Sequence, residues 1–267
     1  MIGLFLGDTD FSEVVLNKIK KLKKKYFIID FSKANKFKND KNSYRISIGK
    51  FGKIIKLIKE KQSKKVLFAG KIAKPNFSSL RLDLKGIYYM PSVIRAAKIG
   101  DAAIIKSIIK ILADEGIQVI SSIFFNPELS LKKGNYSKIK PSKKEIISIN
   151  KGRTYFSKID NLDHIQALVV KDGKIIAKEG REGTKNMLSK LNPKSDGILI
   201  KLPKRKQDLR MDLPTIGLQT LKDIKKYGLK GLVLKSKKNI FLDKKKVISF
   251  ANKNKIFINI IWKKFLY

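Results

Sequence analysis

The chain alternates short apolar segments that end at a glycine with amphipathic segments of helical period. Ile2–Leu6 is followed by Gly7, and the buried-type segment Lys65–Gly70 also ends in glycine. Between them, Phe11–Lys24 and Phe51–Lys61 carry apolar residues at the spacing of a helix with one buried face. Repeated strand–glycine–helix units are typical of a parallel sheet with helices on its faces. The alternation therefore predicts a Rossmann-like α/β domain.

Further elements extend this pattern to residue 130. Tyr26–Asp30, Tyr44–Ile48 and Ile117–Ser121 have the composition of strands. Ala102–Ala113 has the clearest helical period in the chain, and Asp101 precedes it where an N-cap residue would stand. We predict that residues 1–130 form the N-terminal domain.

The second half follows a different pattern. Residues 131–142 are polar, basic and rich in turn-forming types, so we predict an interdomain linker there. Lys143–Ser157 is a predicted helix, and Ala167–Val170 and Lys174–Ala177 form a predicted hairpin around Asp172-Gly173. The remaining predicted elements are three strands and one helix: Gly197–Leu202, Leu229–Leu234, Ile256–Ile261 and Leu218–Tyr227. Residues 143–267 are thus predicted to be a second, mixed α/β domain.

Composition excludes several classes of site. The chain has no cysteine, which rules out disulfides, thiolate metal sites and cysteine nucleophiles. A single histidine, His164, rules out a zinc centre with several histidines, and we expect it to be structural. Lysines interrupt every apolar run before it reaches the roughly 18–20 residues that span a bilayer. The N-terminal segment lacks a basic leader and is interpreted as a first strand, so we expect a cytoplasmic protein.

The formal charge of +39 suggests a nucleic-acid partner. Only seven of the 61 basic residues are arginine, the residue that binds phosphates and base edges with two parallel hydrogen bonds. Lysine, isoleucine, asparagine and phenylalanine are the residues that A/T-rich codons encode, so the charge is better explained by composition than by a nucleic-acid surface. We expect no nucleic-acid partner, and a positive surface could still attract anionic lipid or a nucleotide.

The segment Lys201–Gly217 has the densest set of polar residue types in the chain. Asp208 and Asp212, four apart, can meet one hard cation if the segment is turned or helical. Basic residues beside them could neutralise phosphate oxygens around that cation. We predict a metal at Asp208 and Asp212, catalysis by these two and Arg210, and substrate contacts at Lys201, Lys204, Gln207 and Thr215. The alternative is that Asp212 caps a helix and Asp208 pairs with a lysine.

Three further segments follow predicted strands. Gly70–Gly86 stands where parallel sheets bind ligands, and its candidates for phosphate or uridine contacts are Lys71, Lys74, Arg81 and Asp83. A surface loop with an Arg81–Asp83 pair is the alternative. Gly7 opens a loop with two aspartates, which we place near the ligand on its position alone. Glu179–Thr184 supplies Glu182, Gly183 and Thr184 as polar arms, although a tight turn explains the segment nearly as well.

These segments, in this order, resemble the UDP-2,3-diacylglucosamine pyrophosphatases of the LpxI type over almost the whole chain. The most specific part of the resemblance is the segment from Gln207 to Gly217. The matching positions are Gly70-Lys71, Lys74-Pro75, Arg81-Leu82-Asp83, Gly100-Asp101, Pro127-Glu128-Leu129, Gln166, Glu182-Gly183-Thr184 and Gln207-Asp208-x-Arg210-x-Asp212-Leu-Pro-Thr-Ile-Gly217.

The resemblance implies a nucleotide-sugar-binding N-terminal domain and a catalytic C-terminal domain, with the lipid-linked nucleotide sugar bound between them. It implies Mg²⁺ or a similar cation such as Mn²⁺, and an essential aspartate that is either Asp208 or Asp212. The implied reaction of lipid A synthesis releases UMP and leaves 2,3-diacylglucosamine 1-phosphate, by water attack on the sugar-side phosphorus. It also implies a peripheral association with the inner membrane through the lipid substrate, and a homo-oligomer is left open.

The chain departs from the family pattern at three places. Its first loop has fewer glycines than the family's, Lys185 stands where an acid normally follows Glu-Gly-Thr, and Ile165 replaces a glycine. The Asp-x-Arg-x-Asp core is intact, so we expect an active hydrolase. Two rivals remain: a basic nucleic-acid-binding protein, which would not need Asp208 or Asp212, and another nucleotide-sugar enzyme on the same scaffold, which would not release UMP from the acylated substrate.

Overall fold

The chain folds into two compact units, each with its own sheet. The computed structural model describes residues 1–159, 165–180, 182–203, 208–211 and 213–262. Unit 1 comprises Met1–Pro127 and Asp208–Asp212, and unit 2 comprises Glu128–Gln207 and Leu213–Tyr267. The prediction of a two-domain α/β chain is confirmed.

Unit 1 is built on a parallel sheet in the order β3-β2-β1-β4-β5. Its strands in the described residues are β1 Ile2–Leu6, β2 Tyr26–Asp30, β3 Ser43–Tyr44, β4 Lys65–Ala69 and β5 Gln118–Val119. In the centre, Ile2 of β1 is in register with both Tyr26 and Lys65. The central strands are buried almost throughout, because helices cover both faces of such a sheet, and this burial explains their continuous apolar runs.

The helices of unit 1 described by the structure are α1 Asp10–Lys21, α2 Phe51–Glu60, α3 Leu84–Ile99 and α4 Asp101–Asp114. Helix α2 buries Ile54, Ile55 and Ile58, the face that its helical spacing predicts. The predicted N-cap of α4 was wrong by one residue. Gly100 is the N-cap, and Asp101 lies in the first turn. There its negative charge interacts favourably with the helix dipole.

Helix α3 was not predicted from the sequence. It contains Pro91 in its interior, a residue that removes one backbone hydrogen bond and normally costs a helix about 3 kcal/mol. Burial of Met90, Val93 and Ala96 in unit 1 offsets this cost. At its N-terminus the Asp83 carboxylate accepts a hydrogen bond from Gly86 N at 2.8 Å. Tertiary packing and this cap outweigh the unfavourable local sequence.

Unit 2 contains a mixed sheet in the order β6-β13-β11-β9-β7-β8. Its described strands are β6 Gly134–Asn135, β7 Ala167–Lys171, β8 Lys174–Lys178, β9 Ile198–Lys201, β11 Gly231–Lys235 and β13 Phe257–Ile261. Strands β9, β11 and β13 are parallel to one another, while β7 runs antiparallel to β8 and β9. Asp172 and Gly173 both have positive φ, 46° and 70°, as the predicted two-residue hairpin turn requires.

The rest of unit 2 consists of helices and a short strand pair. The described helices are α5 Lys143–Lys158, α6 Gly183–Ser189, α7 Leu218–Lys226 and α8 Lys244–Lys253, and the pair is β10 Thr215–Ile216 with β12 Ile240–Phe241. Ser142 and Glu145 form a capping box at the start of α5. The segment 131–142, predicted as a linker, contains strand β6 and the fully packed Leu131.

The loops after β1 and β4 meet at the carboxyl edge of the unit 1 sheet. The buried Ser12 hydroxyl donates to the carbonyl oxygens of Gly7 and Ala69, both at 2.8 Å. Asp8 N donates to the Lys71 carbonyl oxygen at 2.9 Å. A Cβ atom on Gly7 would stand 2.3 Å from that same oxygen. Glycine is therefore required at position 7 by the close approach of two backbones.

We predict that Gly7→Ala lowers the free energy of unfolding by about 1–3 kcal/mol, because the new methyl group has to displace backbone rather than a flexible side chain. Chemical denaturation of the full chain measures this difference. Gly180→Ala is the matched control, since a Cβ atom there meets no atom within 4 Å. Equal stability of the two variants would contradict the close approach.

Candidate active site

The segment that carries Asp208 packs within unit 1. Its Met211 side chain lies against the unit 1 core, and the Ser121 hydroxyl donates to the Leu209 carbonyl oxygen at 3.5 Å. The segment follows Lys201 and Pro203 of unit 2 in sequence, and the chain returns to unit 2 at Leu213. The sequence placed Asp208 in the C-terminal domain, and the structure gives it neighbours in the N-terminal half of the chain.

Asp208 and Arg210 form a two-pronged ion pair. Arg210 Nε donates to Asp208 Oδ1 at 2.9 Å, and Arg210 Nη2 donates to Oδ2 at 2.6 Å. The backbone N–H of Arg210 also donates to Oδ1, at 3.0 Å. The carboxylate is 16% exposed and the guanidinium 46% exposed. The pair therefore has an inner, shielded anion and an outer cation that still faces solvent.

This pair fixes the charge of both groups. The hydrogen bonds from the Arg210 side chain lower the pKa of Asp208, against the opposing effect of burial, and the backbone N–H of Arg210 and the charge of Lys106 lower it further. The hydrogen bond to Asp208 raises the pKa of Arg210. Asp208 is thus an anion at neutral pH. The alternative interpretation expected a lysine as the partner of Asp208. The partner in the structure is an arginine two residues later.

Asp208 is one of the two predicted metal ligands. Asp208 offers carboxylate oxygens, the donor type that hard divalent cations prefer. Among the contacts of the described residues, its Oδ1 accepts two hydrogen bonds and its Oδ2 accepts one. In the described ranges, no group of three or more His, Cys, Asp or Glu residues is arranged to hold a metal. The donor type fits Mg²⁺ or Mn²⁺, and the site stays a prediction that also needs Asp212.

A second polar cluster lies in unit 2, at the carboxyl end of β9. Lys201 Nζ donates to Thr184 Oγ1 at 3.0 Å, and the same hydroxyl donates to Glu179 Oε1 at 2.5 Å. The other oxygen of Glu179 accepts from Gln166 N at 2.7 Å. Lys201 and Thr184, two of the predicted substrate-binding residues, are thus hydrogen-bonded to each other. The buried carboxylate of Glu179 orients the Thr184 hydroxyl.

Both halves of the chain match known families. Residues 1–129 match the family described as LpxI N-terminal domain, and residues 132–259 match the family described as LpxI C-terminal domain. The chain belongs to the LpxI family. The UDP-2,3-diacylglucosamine pyrophosphatase LpxI of Caulobacter vibrioides is 32% identical to it over 223 residues, which cover 80% of each chain.

The other candidates in this LpxI chain are divided between the two units. In unit 1, Gly7 and Lys71 meet through the loop contact described above, and Lys74 and Arg81 are exposed. In unit 2, Thr215 is exposed on β10 and its hydroxyl donates to the Leu213 carbonyl oxygen at 3.2 Å. The predictions for Lys204, Gln207, Asp212 and His164 fall outside the described residues.

Asp83 has a structural role that its motif did not reveal. Its carboxylate accepts from Gly52 N and Lys53 N, both at 3.0 Å, as well as from Gly86 N. It therefore caps the N-termini of α2 and α3 together. Burial raises the pKa of Asp83, but the three backbone N–H groups and the nearby Lys50 outweigh it, so the pKa is lowered overall. A phosphate contact at this carboxylate stays a prediction.

Glu182 and Gly183 lie at the start of α6. Gly183 has φ of 87°, a left-handed conformation that favours glycine, and its N–H donates to the Gly180 carbonyl oxygen at 3.1 Å. The exposed Glu182 accepts a hydrogen bond from Asn186 one turn later. Glu182 also lines an open cavity of about 500 Å³ together with Lys178 and Lys190. The geometry fits the tight-turn interpretation of this segment, and substrate contacts at Glu182 and Gly183 stay a prediction.

Sequence reasoning missed Glu179, which is 6% exposed and organises the second cluster. The available signal was an acid directly after a strand in a chain with 22 acids against 61 basic residues. Acids are seldom fully buried without partners. A carboxylate at the entry of a glycine-rich turn was therefore a candidate for an internal hydrogen-bond acceptor.

We predict that Glu179→Gln lowers the free energy of unfolding by about 1–3 kcal/mol, because the amide presents N–H to a group that is itself a donor. Denaturant titration of the full chain measures the change. Glu182→Gln is the matched control, an exposed acid of the same turn, and its effect should stay within about 0.5 kcal/mol. If the two variants lose the same stability, Glu179 does not organise the cluster.

Proposed function

We propose that this chain hydrolyses the pyrophosphate bond of UDP-2,3-diacylglucosamine, releasing UMP and 2,3-diacylglucosamine 1-phosphate in lipid A synthesis. Membership of the LpxI family and the name of the Caulobacter vibrioides relative support this reaction. The structural observation that carries it is the ionised Asp208 held by the fork of Arg210. A shielded anion beside a solvent-facing cation suits a diphosphate that must be bound and attacked.

Arg210 is proposed to bind the diphosphate while it holds Asp208. A guanidinium has five N–H donors, and two of them contact the Asp208 carboxylate. The remaining three can donate to phosphate oxygens, where negative charge grows as the P–O bond breaks. Because Asp208 fixes the plane of the guanidinium, little side-chain freedom is lost when the substrate binds.

The lysines of the two units are proposed to neutralise the substrate's charge. Lys71 lies next to Gly7 in unit 1, and Lys201 is oriented by Thr184 and Glu179 in unit 2. A charge-assisted hydrogen bond to phosphate is about twice as strong as a neutral one. The hydroxyl of Thr184 orients the ammonium group of Lys201.

Asp208, with Asp212, is proposed to hold Mg²⁺ or Mn²⁺. Such a cation would polarise the diphosphate and lower the pKa of a bound water. Asp208 would contribute its negative charge, which the hydrogen bonds from Arg210 favour by lowering its pKa. We further propose that the chain works on the cytoplasmic side of the inner membrane, where it reaches its lipid substrate.

We predict that the purified chain with Mg²⁺ releases UMP from UDP-2,3-diacylglucosamine, and that Asp208→Asn lowers the rate at least about 100-fold. Arg210→Lys keeps the charge but loses the fork, so it should also lower the rate well beyond tenfold. Chromatographic detection of UMP measures both. Asp114→Asn is the control, because Asp114 is an exposed acid of unit 1 that pairs only with Lys110 of its own helix in the described contacts. Activity near normal in Asp208→Asn would exclude the proposed role.

The second prediction concerns the phosphorus that water attacks. We propose attack on the sugar-side phosphorus, with UMP leaving as a phosphate monoester whose charge Arg210 and the lysines stabilise. Hydrolysis in ¹⁸O-labelled water should then place the label in 2,3-diacylglucosamine 1-phosphate. Mass spectrometry of both products decides the point. Label in UMP would show attack on the uridine-side phosphorus and reverse the proposed orientation of the substrate.

A further inference from the structure

Helix α3 presents large apolar side chains to solvent. Leu84 is 86% exposed, Ile87 60% and Tyr88 77%, and Pro91 is exposed as well. Their spacing of three, four and seven residues places them on one face of the helix. The opposite face is the one buried in unit 1. The exposed side chains are therefore an outward surface of a well-anchored helix and not a consequence of poor packing.

The same outward face becomes basic toward the C-terminus of the helix. Arg95 and Lys98 are exposed and stand 11 and 14 residues after Leu84, which returns them to the same side of the helix. We name the outward face formed by Leu84, Ile87, Tyr88, Pro91, Arg95 and Lys98 the α3 stripe. It is apolar over its first two turns, and its last two turns add two cations next to the exposed Ile99.

The helix that carries the stripe is held rigidly. Tyr89, next to Tyr88, donates its hydroxyl hydrogen to Glu115 at 2.8 Å, and the two tyrosine rings meet edge to face at 4.9 Å. Lys85 forms an ion pair with the same carboxylate. The helix backbone that presents the apolar side chains is thus already ordered, which lowers the ordering cost of binding.

We propose that the α3 stripe docks on an anionic lipid bilayer. This choice of partner rests on the proposed function, because a diacylated substrate resides in a bilayer. Charge supports this choice. The chain carries a net charge of +39, and the two cations at the end of the stripe would contact the anionic headgroups of the bilayer. Apolar residues with tyrosine and flanking cations are the composition of helices that lie in a membrane interface.

Two other occupants fit the stripe less well. A second copy of the chain would bring two strongly cationic surfaces together, and the repulsion opposes that contact. A single substrate's acyl tails would require a concave site, since ligands are buried in clefts, whereas the stripe is the convex outer face of a helix. None of the helices in the described ranges is long and apolar enough to cross a bilayer. Docking on the surface is what the stripe's geometry permits.

Binding of the full chain to vesicles tests the proposal, with and without phosphatidylglycerol in phosphatidylethanolamine. At about 1 M salt the Debye length is about 3 Å, so lysines elsewhere on the chain contribute little. We expect the wild-type chain to remain bound there and Leu84→Ser/Ile87→Ser/Tyr88→Ser to bind at least about tenfold more weakly. The control is Ile146→Ser/Ile147→Ser on α5, which removes apolar side chains that are 46% and 64% exposed. Equal binding of the triple variant and the control would overturn the proposal.

A fluorescent reporter locates the contact. The described residues include Trp262, and the composition gives one tryptophan in all, so Tyr88→Trp in a Trp262→Phe background places the sole indole on the stripe. We expect a blue shift and quenching by brominated lipid on vesicle binding. An unchanged spectrum on bound vesicles would show that another surface docks. Arg95→Gln/Lys98→Gln should weaken binding at low salt only when phosphatidylglycerol is present.

Two further measurements identify a different occupant. If the triple variant loses self-association in sedimentation while its vesicle binding is unchanged, the stripe is an interface between copies and the proposal fails. If it turns over a monomeric short-chain substrate more slowly with unchanged vesicle binding, the stripe contacts the substrate and the proposal also fails. Because vesicle binding is measured without substrate, its outcome is separate from any failure of the proposed reaction.

Discussion

The parallel pairing of β1 with β2 and β4 is the constraint on which unit 1 depends. Parallel strands bring their carboxyl ends to one edge, so the loops that follow β1 and β4 must share a small space. The buried Ser12 hydroxyl joins both strand ends, and Gly7 lets the two backbones touch. Lys71 owes its position beside Gly7 to this packing of the two loops.

Acids are scarce in this chain, and several of them accept hydrogen bonds from more than one donor. Glu115 accepts from Lys59 of α2 and from Lys85 and Tyr89 of α3, and these contacts, led by Lys85, lower its pKa to about 2. Burial and the same carboxylate raise the pKa of Tyr89 to about 12. Since the folded pKa of Glu115 lies below the ordinary 4.5, this cluster stabilises the fold above that pH and loses its contribution as the pH falls toward 2.

Local sequence predicted the regular elements well and the irregular ones poorly. The strands β1, β2 and β4 and the hairpin turn at Asp172-Gly173 follow from apolar runs and turn chemistry, which act over a few residues. Helix α3 could not be predicted in this way. Pro91 disfavours a helix in the local sequence, and packing against the core stabilises the helix nonetheless. Asp83 stood in a motif that pointed to phosphate, yet two of its three hydrogen bonds come from α2, about thirty residues away in sequence.

The site shows the same division between local and distant information. The ordered polar residues from Gln207 to Gly217 identified Asp208 and Arg210, and their fork is a contact between residues two apart. Met211 packs against core residues that lie far earlier in the sequence, and no local pattern encodes such a contact. Asp208 is thereby held by a unit other than the one that Lys201 and Thr184 belong to. The roles proposed for Asp208 and Lys201 therefore each rest on the correct folding of a different unit, so we expect stability lost in either unit to lower the activity.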